Sequence, residues 1–211
     1  MNHPWNRTDA SAPRIKICGI RDLDTALAAV ESGADALGFV LAPGSPRTVS
    51  RSVATRIADA LPAHVEAVGV FVDGEFESEL RPWQPRWTQL HGNEDEALVR
   101  MISGPVIRAV PFDPPTLLHW DRVDGVDRLL VDSPHPGSGR TFDHAALHEL
   151  RDRLQTPLIL AGGLAPDTVS ESIRTLRPWA VDVSSGVESA PGTKEPSLID
   201  DFCRAVRESV A

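Results

Sequence analysis

A closed (β/α)8 barrel is the fold the sequence predicts. Three observations point to it: eight short apolar runs, amphipathic stretches between most of them, and a length of 211 residues, which suits one domain at the small end of that fold's range. The runs are Arg14–Gly19, Ala34–Leu41, Glu66–Val72, Arg86–His91, Pro105–Val110, Arg128–Asp132, Pro157–Gly162 and Trp179–Ser184. Each is rich in Val, Ile and Leu and bounded by Gly, Pro or polar residues, as buried parallel strands are. Helical patterns cover Asp22–Ser32, Arg51–Ala60, Asn93–Ile102, Phe142–Leu154, Asp167–Leu176 and Ser197–Val210. In the fourth, Leu147, Leu150 and Leu154 recur at three- and four-residue steps and form one apolar stripe. The stretches between Asp73 and Trp83 and between Pro111 and Asp127 read poorly as helices, the second because of prolines at 111, 114 and 115. Residues 1–13, polar with two prolines, read as a loose N-terminal extension to a barrel spanning 14–211. An open doubly wound sheet is the alternative, but it would carry a Gly-rich turn straight after the first strand, and CGIRDLD (18–24) is not one.

Composition narrows the functional classes. Apolar residues make up 41% and charged residues 24%, an ordinary globular balance. No apolar run approaches the roughly 18–20 residues that a bilayer crossing needs, and residues 1–14 lack the apolar stretch of a signal peptide. A cytoplasmic protein with no membrane partner is expected. A formal net charge of −9 argues against nucleic acid as a partner. A small anion held by backbone N–H groups and one or two arginines remains compatible with that charge. Cys18 and Cys203 form no CxxC pattern, so neither a disulfide framework nor a structural zinc site is expected. Monomer and homodimer are equally compatible with the sequence.

Chemistry in such barrels sits at the C-terminal ends of the strands and in the loops that follow them. Those positions hold Cys18 and Gly19, Phe39 to Arg47, Asp73, then Gln89, His91 and Gly92. Arg108, Asp132, Ala161 to Leu164 and Ser184 to Val187 complete a rim too polar to be structural. LAGGL (160–164) and DVSSGVE (182–188) place Gly162, Gly163, Ser184, Ser185 and Gly186 where backbone N–H groups can converge on a phosphate. A further turn, PGSGR (136–140), brings Gly137, Ser138 and Gly139 to the same end. Tight turns alone would also use these glycines.

Cys18, ending the first strand, and Asp132, ending the sixth, are the candidate base and acid. A thiol is only slightly ionised at neutral pH and needs a nearby positive field, which Lys16, two residues earlier on the same strand face, can supply. An aspartate acting as acid must keep its proton, which burial in the barrel mouth favours. By position alone, Cys18 also fits a small buried apolar residue, and Asp132 an anchor for a loop N–H or an arginine. Arg47, in APGSPRTVS (42–50), either clamps a carboxylate bidentately or is a solvated surface residue. Gln89, His91 and Asp182 line the same mouth. No metal or organic cofactor is expected. His144 and His148 have a spacing that can bind zinc but lie on an outer helix without a third ligand. The five tryptophans are spread through the chain and predict no stacking platform.

Taken in order, KICGI (16–20), GFVLAPGSPRTVS (38–50), VGVFVD (68–73), QLHG (89–92), LLVDS (129–133), GSGRTFD (137–143), LAGGL (160–164) and DVSSGVE (182–188) resemble the phosphoribosylanthranilate isomerase family of tryptophan biosynthesis. The resemblance implies conversion of N-(5'-phosphoribosyl)anthranilate to 1-(2-carboxyphenylamino)-1-deoxyribulose 5-phosphate, an Amadori rearrangement. It implies that Asp132 protonates the furanose ring oxygen, that Cys18 removes the proton from C2, and that Arg47 faces the anthranilate carboxylate. The loops at Gly137–Gly139, Gly162–Gly163 and Ser185–Gly186 match the family's phosphate cradle, with Ser138 in place of a threonine. Competing readings are a related aminoaldose isomerase of histidine biosynthesis, a Schiff-base lyase using Lys16, and a phosphate-ligand sensor without activity. The first would lean on paired aspartates and two phosphate sites, and this chain has one clear cradle.

Overall fold

The structure, a computed structural model, describes Trp5 and residues 12–73, 85–132 and 144–210, with the backbone alone at His144. Eight parallel strands close into a barrel in chain order: β1 (Arg14–Cys18), β2 (Ala36–Val40), β3 (Glu66–Phe71), β4 (Trp87–Leu90), β5 (Val106–Pro111), β6 (Arg128–Asp132), β7 (Leu158–Leu160) and β8 (Ala180–Val183). Every strand falls within a residue or two of the apolar run that predicts it. The helices are α1 (Leu23–Glu31), α2 (Arg51–Ala60), α3 (Glu96–Met101), α4 (Pro114–Trp120), α5 (His144–Arg151), α6 (Val169–Leu176) and α7 (Pro196–Glu208). Among the described residues no helix is long and apolar enough to cross a membrane.

Two features depart from the sequence reading. The segment after β5 carries a helix, α4, because Pro114 and Pro115 occupy its first turn, where missing N–H groups leave no bond unmade. Asp113 caps that turn by accepting from the Thr116 N–H. Between β8 and α7 the chain also makes a short 3-10 turn, Ser185–Val187, and an antiparallel pair, β9 (Glu188–Ala190) and β10 (Thr193–Lys194). The intervening Pro191-Gly192 is a turn signal. Residues 74–84, which cover most of the other poorly helical stretch, lie outside the described residues.

Strand alternation divides the core in two. Ile15, Ile17, Leu37, Phe39, Leu129, Val131, Val181 and Val183 face outward and pack on the helices. Their sequence neighbours point into the barrel, where Ala36, Val68, Ile107, Leu130, Ile159 and Ala180 fill the middle. The barrel closes where β1 meets β8, with Lys16 opposite Asp182 in register.

The N-terminal end of the barrel is plugged by indoles. Trp5, within the stretch read as a loose extension, is fully buried. It meets Trp179 edge-on at 4.9 Å and Trp87 at 6.3 Å between ring centroids. Arg128 lies over the Trp179 ring at 4.3 Å and over Trp87 at 5.4 Å. Three of the tryptophans therefore do assemble, contrary to their spread in sequence, because β4 and the approach to β8 open on the same barrel end. We expect Trp5→Ala to lower the unfolding free energy by about 3 kcal/mol, the usual range for deleting a buried aromatic. Urea titration followed by circular dichroism checks this; an unchanged midpoint would mean that the indole does not plug the barrel.

Candidate active site

The C-terminal end of β1 presents Lys16 and Cys18 to the barrel interior. Lys16 is fully buried, and its Nζ donates to Asp182 Oδ1 at 2.7 Å. Burial works against the ammonium, but the adjacent Asp182 carboxylate and Cys18 together outweigh it and hold Lys16 above its ordinary pKa. That is the wrong direction for a Schiff-base nucleophile, which needs a free amine. Cys18 is buried one step nearer the mouth. Burial pushes its thiol up, Lys16 pulls it back down, Asp182 adds to the rise and Lys194 opposes it. The expected positive field is thus present, but burial prevails and holds the thiol above its ordinary pKa. Gly38 on β2 makes the room: a Cβ there would lie 2.8 Å from Cys18 Sγ and 3.2 Å from Lys16 Nζ.

Asp132, at the end of β6, lies with Oδ2 3.3 Å from His91 Nε2. His91 Nδ1 is in turn 2.9 Å from Gln89 Nε2. When Gln89 donates to Nδ1, the imidazole carries its proton on Nε2, the nitrogen that faces the Asp132 carboxyl group. The loop bearing His91 is braced from behind. Glu94 accepts from the N–H groups of Asp73 and Gly92 and from Arg108 Nη1, while Arg108 Nη2 donates to the Gly92 carbonyl. The Arg108 guanidinium also lies over the Trp120 ring at 4.5 Å. Arg108 and Asp73, both on the rim by sequence, therefore serve this brace, and Arg108 belongs to the outer face of β5.

After β7 the chain passes through Gly162 and Gly163, both in the left-handed region at φ +81° and +70°. Among the described residues no acceptor takes their N–H groups. The following loop is pressed against the turn after β8 so closely that a Cβ on Gly186 would lie 1.9 Å from the Leu164 carbonyl oxygen. Gly162, Gly163, Ser184, Ser185 and Gly186 thus form one continuous lip. Gly137, Ser138 and Gly139 lie outside the described residues. His148 is exposed on α5, and among the described residues no three His, Cys, Asp or Glu side chains are grouped to hold a metal ion.

Arg47 is neither free nor merely solvated. Its Nε and Nη2 each donate at 2.8 Å to the carboxylate of Glu188, and its stem lies over Gly19, where a Cβ would come within 2.8 Å of Arg47 Cδ. Glu188 also accepts from Lys194 Nζ at 2.6 Å. Lys194 reaches the Ser184 carbonyl at 3.1 Å, and Ser184 Oγ donates to the Cys18 carbonyl at 3.1 Å. Glu188, Lys194 and Gly38 are the residues that reading the sequence missed. The Pro191-Gly192 turn, flanked by Glu188 and Lys194, was the available signal for the first two.

Fold and rim define a (β/α)8-barrel protein whose polar mouth carries Cys18 and Asp132 at strand ends beside a glycine-lined lip. Residues 15–205 match the family model described as N-(5'phosphoribosyl)anthranilate (PRA) isomerase. The N-(5'-phosphoribosyl)anthranilate isomerase of Chromohalobacter salexigens is 41% identical, over all of both chains. The crystal structure of the Thermotoga maritima isomerase superposes with a TM-score of 0.86 at 42% identity, covering 93% of this chain and 99% of that one. A second isomerase structure, in complex with reduced 1-(o-carboxyphenylamino)-1-deoxyribulose 5-phosphate, gives 0.83 at 40% identity with the same coverage. The Thermotoga maritima enzyme is also described as dimeric. The chain belongs to the N-(5'-phosphoribosyl)anthranilate isomerase family.

The two thiols should separate by pH. In the ligand-free protein, Cys18 alkylation by iodoacetamide should be slow at pH 7 and rise only as pH passes the ordinary thiol range, because burial favours the neutral form. Cys203, pushed up to about 12 by burial, should stay unmodified longer. Peptide mass spectrometry across a pH series reads both, and fast Cys18 labelling at neutral pH would contradict the assignment. Gly38→Ala should leave the far-ultraviolet spectrum intact and cut turnover by about tenfold or more, since the added methyl displaces the thiol from its position. Wild-type turnover would show that Cys18 tolerates the shift.

Proposed function

We propose that this rim carries out the Amadori rearrangement of N-(5'-phosphoribosyl)anthranilate to 1-(2-carboxyphenylamino)-1-deoxyribulose 5-phosphate, with Asp132 as general acid and Cys18 as general base. The chain is an isomerase of tryptophan biosynthesis. Asp132 gives its proton to the furanose ring oxygen, and the ring opens to a protonated Schiff base at C1. That cation makes the C2–H acidic and draws the nearby thiol toward thiolate, against the effect of burial. The Cys18 thiolate takes the C2 proton. The resulting enolamine tautomerises to the ketone, C1 gaining a proton as the 2-hydroxyl loses one. Substrate and product are isomers, so the balance calls for no hydride carrier: the C2 proton restores the thiol, and the proton the thiol sheds to solvent on ionising is matched by the one that restores Asp132.

Gly162, Gly163, Ser184, Ser185 and Gly186 would hold the phosphate, with Gly137, Ser138 and Gly139 closing over it. Arg47 would face the anthranilate carboxylate, and Lys16, Gln89, His91 and Asp182 would line the cavity. His91 would keep Asp132 oriented toward the ring oxygen. The setting we infer is a cytoplasmic enzyme, monomer or homodimer, with residues 14–211 as its catalytic domain and 1–13 as an appended segment. The observation that carries the reading is the placement of Cys18 and Asp132 on inward-facing positions at the C-terminal ends of β1 and β6.

The test follows the fluorescence of phosphoribosylanthranilate as it is consumed. Turnover should survive EDTA. Cys18→Ser and Asp132→Asn should each lose at least about 10²-fold in kcat while still binding the reduced product analogue. Near-full turnover in either variant would remove that residue from its role.

A further inference from the structure

We propose that Glu188 is a positioning residue for carboxylate recognition: it holds one edge of the Arg47 guanidinium so that the other edge is presented to the carboxylate of the substrate. The inference rests on the reading that Arg47 faces that carboxylate.

A guanidinium has five N–H donors in a planar fork and can be gripped on two edges at once. Glu188 takes the edge made by Nε and Nη2, both at 2.8 Å. Among the described residues Arg47 Nη1 has no hydrogen-bond acceptor, so the end formed by Nη1 and the second proton of Nη2 is open. The grip is built rather than incidental. The Glu188 side chain is only 4% exposed, and Lys194 fixes its Oε1 from the other side at 2.6 Å. The short β9–β10 pair places Glu188 and Lys194 opposite each other in register. Its Gly192 packs so close to the Pro46 carbonyl that a Cβ would fall 2.2 Å away, which locks the hairpin to the loop that bears Arg47.

Charge points the same way. One carboxylate is shared by two cations, Arg47 and Lys194, so the cluster has one positive charge to spare. A monoanionic carboxylate on the ligand completes it. Ligands of the same shape lacking that carboxylate would leave the charge unmatched, so the cluster works as a specificity element at the aryl end of the site.

Two ligands, three single variants and one double variant test this, the ligands being the reduced product analogue and its counterpart without the ring carboxylate, titrated calorimetrically. Glu188→Asp keeps the charge and shortens the reach. Glu188→Gln keeps the shape but turns an NH2 toward a donor. Its lost charge leaves extra Coulombic attraction for an anion, but that attraction is non-directional and screened by salt, so the titrations are run at moderate ionic strength. Each Glu188 variant should weaken the carboxylated ligand by about tenfold, the order expected when a charged hydrogen bond loses its geometry, and the other ligand by less than about twofold. Arg47→Met should remove the preference altogether, and Glu188→Asp added to it should change nothing further. If both Glu188 variants keep the wild-type preference, or weaken both ligands alike, Glu188 has no positioning role. If Arg47→Met itself keeps the preference, the Arg47 reading fails first.

Discussion

The buried ion pair between Lys16 and Asp182 is the contact on which the rest of the site depends. Two opposite charges sit inside the barrel, where neither would be tolerated alone. Desolvation penalises each, and only their 2.7 Å contact offsets it. Because they are register partners on β1 and β8, their pairing pins the seam at which the barrel closes. A slip of one residue by either strand would turn its charge toward the apolar helix layer and leave the other buried without its partner. The same register puts Cys18 one step above the pair and brings Ser184 within hydrogen-bonding distance of the Cys18 backbone.

From that seam, charge alternates outward toward the mouth. Asp182 answers Lys16, Ser184 links to Lys194, and Glu188 bridges Lys194 and Arg47. Each group is held by its neighbour, so the site is organised before any ligand arrives, which is how electrostatic preorganisation is achieved. The Cys18 thiol is the exception. It is embedded among these charges without forming a full ion pair of its own, so its ionisation remains sensitive to what the ligand brings.

Most of the barrel was legible in the sequence because buried parallel strands are continuous apolar runs, and eight of them are hard to arrange otherwise. The rim residues were legible too, since residues at the strand ends fall at countable positions. What was hidden depended on contacts between distant segments. Pro114 and Pro115 look like helix breakers until Asp113 is seen capping the turn they begin. Gly38 looks like any strand glycine until the thiol of the neighbouring strand fills the space above it. Glu188 reads as the tail of a glycine-rich loop until β10 folds back and turns it toward Arg47. Arg108 and Asp73 sit at rim positions by count, yet their side chains brace a loop instead of facing the cavity.

The indole plug at the base of the barrel has a consequence for how the chain is made. Trp5 is made before any strand of the barrel, whereas the pocket that receives it needs Trp179 and the start of β8, made after the other seven strands. At elongation rates of about 5–20 residues per second the gap amounts to roughly ten to thirty-five seconds. Throughout that interval a large apolar side chain lacks the nearer of its two indole partners, and the barrel beneath it is incomplete. Seating the indole therefore waits for β8, and the nascent polypeptide must reach that point without losing Trp5 to a neighbouring molecule.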